Sequence, residues 1–294
     1  MESEIVRRSF EAIGTSWDIV IDQEMTSAAE QELFLALRKR IELFEATYSR
    51  FRDDSLVDKV AHHAGAYTLP ADAKQMFDLY KELYDTTSGA VTPLIGNTLV
   101  EAGYDKHYSL KKGVLHAPPA WDDVLIYDFP KLTALSPTQL DLGAIGKGYI
   151  IDIVGLLLEE HGINQYHINA GGDIRQRGSC SNPLSIGLEH PIDKNLAIGK
   201  INIVNKSICG SSGSRRAWED MHHIIDPHTQ RSPKNIIAVW AVADTTILAD
   251  AMTTALFFKD PALLMKEFTF EYLIMNADSS TLRSPNFDAT LFTS

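Results

Sequence analysis

The sequence predicts an α+β fold in which mixed or antiparallel sheets carry packed helices. Three observations lead there. The 294 residues are 45% hydrophobic and 22% charged, an ordinary globular balance that excludes disorder, collagen and coiled coil. Strand-like and helix-like patterns are interspersed along the whole chain. No internal repeat, low-complexity linker or composition break divides it, so one domain over 1–294, with room for two lobes, is the simplest organisation.

The elements follow in order. Residues 5–21 read as strand, with Gly14-Thr15 in the middle and Trp17, Ile19 and Ile21 alternating. Residues 27–47 read as an amphipathic helix, with Leu33, Leu37, Ile41 and Phe44 at helical spacing and Ser27 as its cap. The stretch from Tyr48 to Ser55 is polar, aromatic and irregular. A second helix spans about 70–86, opened by Pro70 and stopped by Thr87-Ser88-Gly89. Pro93 and Gly96 predict irregular chain up to Gly103-Tyr104-Asp105, and the proline-rich stretch 113–140 reads as short β segments. A glycine-rich turn, 141–148, then leads into an apolar helix ending near 161. Residues 163–178 read as strand, Gly-Gly turn and strand. Further strands are predicted at 184–188, 198–208, 236–242 and 271–276, with a helix over 246–258.

The formal net charge of −12 argues against a surface that coats nucleic acid. A polyanionic ligand would need local neutralisation, which a divalent cation supplies. The two cysteines, Cys180 and Cys209, form no CxxC and no Cys/His cluster. They read as small buried apolar residues and exclude a disulfide scaffold or cysteine-built zinc site. The N-terminus is acidic and followed by no apolar signal region, and no apolar run approaches 18 residues. The expectation is therefore no membrane-spanning segment and a cytoplasmic protein.

Four places could carry chemistry. Gly143, Gly146 and Gly148 with Lys147 stand between strand and helix, where backbone N–H groups at a helix start can meet a phosphate. The GxxxxGK[ST] loop is absent, and a tight structural turn would look the same. Asn169-Ala170-Gly171-Gly172-Asp173 sets an acid beside two glycines that permit close approach to a ligand, or simply a hairpin. Ser211, Ser212 and Ser214 alternate with Gly210 and Gly213 ahead of Arg215-Arg216, a composition suited to phosphate oxygens. His222-His223 would set one imidazole inward and one outward on a strand, and one of them could be a general base. Asp250 and Thr254 are i and i+4 in an apolar helix, a spacing of hard oxygen ligands for Mg²⁺ or Ca²⁺.

These segments, in this order, resemble the ApbE-type flavin transferase family over nearly the whole chain. The resemblance runs from Gly14-Thr15 and the Arg50–Ser55 segment through Thr87-Ser88-Gly89-Ala90, Asp141–Tyr149 and Asn169–Asp173. It continues through Ser212-Gly213, His223-Ile224-Ile225-Asp226-Pro227 and the Asp250–Thr254 helix. It implies a Mg²⁺-dependent transfer of FMN from FAD to a Ser or Thr hydroxyl of an acceptor protein, with release of AMP. It also implies site residues. The Ala144 carbonyl, Asp250 and Thr254 would hold the metal. Phe51, Ala90, Val91, Thr92 and Asp141 would contact FAD, with Lys147, Gly171, Gly172, Asp173, Ser212 and Gly213 lining the same site. His223 would be catalytic. The sequence departs from the family pattern at Ile13 for methionine, Phe51 for tyrosine and Thr92 for an acid. An FAD pyrophosphatase giving FMN and AMP, or a flavin- or nucleotide-binding protein without turnover, would use the same residues. Asp85–Ala90 partly resembles an acceptor segment, although its place matches the pocket loop.

Overall fold

A computed structural model describes residues 5–179, 183–193 and 195–292, so Cys180 lies outside the described residues. Its centre is an eight-stranded sheet. The strands lie in the order Ile5–Ala12, Thr15–Asp22, Tyr166–Ala170, Asp173–Arg177, Ser207–Ser212, Ile236–Ala243, Glu271–Asn276 and Thr281–Arg283. Every neighbouring pair is antiparallel. Alternation sends successive residues to opposite faces. Cys209, Val239 and Ile274 join the main core, whereas Ile208, Trp240 and Leu273 join a second apolar cluster. The large sheet is thus a wall shared by both cores, and the two clusters flank it within one α+β domain.

Eight helices occur among the described residues: α1 (Ser27–Tyr48), α2 (Leu56–His62), α3 (Lys74–Thr86), α4 (Gly96–Glu101), α5 (Trp121–Val124), α6 (Gly146–Glu160), α7 (Thr246–Ala255) and α8 (Pro261–Leu264). On α1 the predicted stripe of Leu33, Leu37, Ile41 and Phe44 is buried, and Tyr48, expected in irregular chain, ends the helix and faces the core as well. Its cap is Thr26 and not Ser27. Thr26 has the extended backbone that capping needs, and its hydroxyl accepts from Ala29 N at 3.2 Å. Pro70 likewise precedes a single 3₁₀ turn, Ala71–Ala73, and the helix proper starts at Lys74.

Further segments differ from expectation, among them helix α5 within the stretch 113–140 expected to be β. The chain 198–208 is two strands, Ala197–Ile203 in a three-stranded sheet and Ser207–Ser212 in the large one. Asn205, at φ 50°, turns the chain between them. Helices α2 and α4 fall in stretches expected to be irregular or left unassigned, because seven and six residues show too little periodicity to read. Ser55 caps α2 by accepting from Asp58 N at 2.9 Å. Helix α7 stops at Ala255, and Leu256–Phe258 continue as turns.

Helices α6 and α7 pack on the same face of the large sheet, and their crossing positions the site. Gly148 makes it possible: a Cβ there would lie 2.3 Å from the Thr246 carbonyl oxygen and 2.8 Å from the Asp250 Cβ. Among the described residues, no helix is long and apolar enough to cross a membrane.

Candidate functional site

The base of the site is built where α6, α7 and the strands Asp173–Arg177 and Ser207–Ser212 converge. Asp250, buried on α7, accepts a hydrogen bond from Gly148 N at 2.8 Å through Oδ2. Gly171 and Gly172 both take positive φ, 62° and 99°, and turn the chain so that Asp173 begins the next strand pointing at α6. The Lys147 ammonium lies 2.7 Å from Asp173 Oδ2. Ligand atoms of Asp173, Cys209 and Asp250 lie within 4.8 Å of one another, and all three residues are buried. Burial, then the nearby Asp173 charge, pushes the Asp250 carboxyl well above the ordinary carboxylate range. Burial acts to lower Lys147, but Asp173 and Asp250 outweigh it and hold its pKa raised. Burial pushes the Cys209 thiol up, and its Sγ donates to the Thr246 carbonyl at 3.7 Å, so it is no nucleophile here.

A second wall rises from the turn after α1. The buried Arg50 donates from Nε to Asp141 Oδ2 at 2.5 Å and from a terminal nitrogen to the Tyr104 carbonyl at 2.8 Å. Its guanidinium also lies over the Phe51 ring, 4.2 Å from the centroid. Phe51 stacks on Tyr108 at 5.6 Å with 3° between planes, and both rings are exposed. The Ala90–Thr92 loop is tied to this wall because Asp141 N donates to the Pro93 carbonyl at 2.7 Å. Thr92 caps the short turn that follows, accepting from Leu94 N at 3.2 Å. Tyr80 joins wall and base. It is fully buried, donates to the Asp141 carbonyl at 3.5 Å and packs on the Ala144 and Ile145 backbone. Burial, then the charges of Asp141 and Asp250, raise its phenol. Ala144 and Thr254 are half-buried, one at the entry to α6 and one a turn beyond Asp250.

His223 follows the two-residue strand Met221–His222 rather than lying in it. The two histidines divide the roles differently from a simple inward–outward pair. His222 Nε2 lies 2.9 Å from the Pro233 carbonyl. His223 Nδ1 is shielded from solvent and has no hydrogen-bond partner among the described residues. Burial, helped by the positive charges of Arg216 and Lys147, lowers the His223 pKa to about 3. The imidazole is therefore neutral at pH 7. Gly213 packs its bare Cα against His222, whose ring would be 2.9 Å from a Cβ.

The structure thus connects Phe51, Asp141, Lys147, Asp173, His223 and Asp250 through the contacts above, whereas Ala90 lines a pocket with Thr87, Asp226 and Phe257; it also reassigns several expected anion contacts. The Gly148 N–H serves Asp250, and the Gly143 N–H donates to Asp141 Oδ1 at 2.9 Å. Neither amide is an open phosphate donor; the glycines serve the turn and the helix crossing. The two arginines diverge. Arg216 donates to the Tyr104 hydroxyl at 2.6 Å. Arg215 binds the Gly171 carbonyl at 2.9 Å and Glu189 at 3.1 Å. Gly172, Ser212 and Arg215 line a separate cavity of about 400 Å³ that reaches Trp240 on the far side of the large sheet. Thr87 is buried and donates to the Leu83 carbonyl at 2.6 Å, so it is no exposed acceptor.

Arg50, Tyr80, Tyr104 and Tyr108 were not legible as site residues. The adjacency of Arg50 to Phe51 and the four-residue spacing of the two tyrosines were the only signals, and neither reveals a tertiary stack.

The geometry can be set beside known proteins. The model of the ApbE family matches residues 13–270. The FAD:protein FMN transferase of Escherichia coli is 30% identical over 171 residues, covering 53% of this chain and 49% of that protein. The protein of the same name from Vibrio cholerae is 25% identical over 279 residues, covering 86% and 81%. The chain spans about half the length of the Escherichia coli relatives it matches at 30% identity. In three dimensions the ApbE protein of Thermotoga maritima superposes with a TM-score of 0.82 at 22% identity, covering 97% of this chain and 98% of that one. The flavin transferase ApbE of Vibrio cholerae gives 0.79 at 21%, with the same coverage.

Proposed function

The chain belongs to the ApbE family, and we propose that it transfers FMN from FAD to a Ser or Thr hydroxyl of an acceptor protein, releasing AMP with the help of a divalent cation. The observation that carries this reading is the buried pair Asp173 and Asp250 with one ammonium, Lys147, between the elements that hold them. The second buried carboxyl can ionise there only against added positive charge, which a hard divalent ion supplies. The donors also fit: the Asp250 carboxylate, the Ala144 carbonyl and the Thr254 hydroxyl are all oxygen. Bound there, Mg²⁺ would supply positive charge to the oxygens of a reacting pyrophosphate.

The protein's own groups do the rest. The exposed Phe51–Tyr108 stack, backed by the Arg50 cation, offers a flat face to an aromatic ring system. Lys147 stands beside the carboxylates to contact phosphate oxygens. In the transfer, the acceptor hydroxyl oxygen bonds to the flavin-side phosphorus. The bond from that phosphorus to the bridging oxygen breaks, and AMP leaves with the bridging oxygen. The hydroxyl proton passes to the neutral His223 imidazole. A base of pKa about 3 is weak in the empty site. An arriving pyrophosphate opposes the Arg216 and Lys147 charges that depress it, so its basicity rises only with substrate in place.

The test is AMP release from FAD with Mg²⁺ or EDTA, with and without a protein extract as acceptor source, together with flavin fluorescence on denaturing gels. Acceptor-dependent AMP and a covalently fluorescent band support transfer. AMP without an acceptor identifies a pyrophosphatase, and FAD binding without AMP refutes turnover.

A further inference from the structure

We propose that Asp152 is a positioning residue that sets α7, and with it Asp250 and Thr254, at working distance from α6. Asp152 lies on α6, one helical turn beyond Gly148, and is 5% exposed. Its carboxylate does not face the site. Oδ1 accepts from Thr246 N at 2.9 Å and Oδ2 from Ile247 N at 2.8 Å. These are the first two amides of α7, which have no partner within their own helix. The residue preceding them, Thr245, makes no side-chain cap of its own. A carboxylate from a neighbouring helix therefore caps α7, and it meets the positive end of that helix's dipole.

The same carboxylate is fixed from behind. Arg175 donates to Asp152 Oδ1 at 2.6 Å, and Tyr166 and Glu159 hold the guanidinium at 3.0 and 3.3 Å. The first residue of α7 is also tied to the sheet, since the Thr246 and Ser207 hydroxyls are 2.8 Å apart. Gly148, one helical turn before Asp152 on α6, is where the Thr246 carbonyl comes closest. Contact at Gly148 sets how near α7 can come, and Asp152 holds it there. Asp250 begins one turn along α7 from the capped amides, so any slide or tilt of the helix start displaces its carboxylate. This role rests on the metal-dependent reading above.

The test is Mn²⁺ binding in the absence of FAD, read by titration of the free-ion paramagnetic signal, at a temperature well below each variant's unfolding midpoint. Asp152→Asn keeps one acceptor oxygen and nearly the same volume. It should weaken Mn²⁺ binding by about tenfold, the order seen when an outer partner of a metal site is lost, and speed amide exchange at Thr246 and Ile247. Arg175→Lys keeps the charge, loses the fork, and should show the same change in smaller measure; it serves if Asp152→Asn does not fold. Phe287→Leu, in the second core, should lower the unfolding midpoint and leave Mn²⁺ affinity unchanged. Wild-type affinity and exchange in a folded Asp152→Asn would overturn the positioning role alone. Absence of Mn²⁺ binding by the unsubstituted protein would overturn the metal reading, and the positioning role with it.

Discussion

Gly148→Ala adds one methyl group to the point where the two site helices cross, and two opposing effects can be weighed. Alanine is the better helix former by about 1 kcal/mol. Its Cβ, however, would stand 2.3 Å from the Thr246 carbonyl oxygen, against an ordinary contact of 3.4 Å or more. Neither atom belongs to a flexible side chain, so the helices must separate by about 1 Å, and such overpacking costs about 1–3 kcal/mol. The clash outweighs propensity by up to about 2 kcal/mol, and the unfolding midpoint falls by roughly 2–4 °C per kcal/mol. The separation also stretches the Gly148 N–H to Asp250 bond and displaces the carboxylate. A misplacement of about 1 Å can lower turnover about 100-fold. Differential scanning calorimetry and AMP release at saturating Mg²⁺, well below the midpoint, measure the two effects. Full turnover with an unchanged or raised midpoint would show that α7 is not held at contact distance and would refute the assignment.

Other outcomes follow from the same geometry. Because the folded-state pKa of Asp250 is raised, its ionised form opposes folding above the ordinary carboxylate range; Asp250→Asn should therefore raise the midpoint in EDTA while abolishing Mg²⁺-dependent turnover. Saturating Mg²⁺ at about 100 times its Kd should stabilise the unsubstituted protein by about 2.7 kcal/mol and leave that variant unmoved. His223 titrates near 3 when folded and near its ordinary 6.5 when unfolded, so the unfolded chain binds more protons between those values. Stability should fall by roughly 4 kcal/mol as pH drops across that window, and His223→Gln should flatten that slope in acid denaturation. Arg50→Ala removes a charge-assisted bond to Asp141 and the cation over Phe51; the KM for FAD should rise tenfold or more, from about 1.5–3 kcal/mol, with kcat little changed. An unchanged KM would place FAD elsewhere.

What the sequence made legible depended on how local each feature is. The stripe of α1 and the strand–Gly-Gly–strand hairpin are written within a few residues, and both stand where the pattern predicts. The split of 198–208 between two sheets was not legible, since a turn at Asn205 leaves the apolar alternation on either side intact. In the site, Asp250 and Asp173 announced themselves by being acids among apolar residues and glycines. The glycines of 143–148 stand out in the sequence, but a glycine that admits a phosphate and one that admits a neighbouring helix look alike in one dimension. Only the Thr246 carbonyl against Gly148 separates the two. Arg50 was hidden for a similar reason: its partner, Asp141, is 91 residues away.

The ion pairing supports the proposed role of a divalent ion. A chain of net charge −12 repels a dinucleotide at long range, so the binding charge must be local. Arg50, Lys147 and Arg216 stand around the site, and each is already engaged: Arg50 with Asp141, Lys147 with Asp173, and Arg216 with the Tyr104 hydroxyl. Asp250 adds a further acid with no cation of its own beyond a share in Lys147. A pyrophosphate entering this arrangement meets groups whose charges nearly cancel, and displacing Lys147 from Asp173 would strand a buried carboxylate, a loss of about 3–5 kcal/mol. A cation bound at Asp250 removes that conflict, because it lets that carboxyl ionise against a positive charge of its own and leaves both ion pairs in place. Binding of FAD should therefore strengthen with Mg²⁺ in the unsubstituted protein and lose that dependence in Asp250→Asn. Equal FAD affinity with Mg²⁺ and with EDTA, measured by calorimetric titration, would mean that the paired cations suffice and that the metal acts elsewhere.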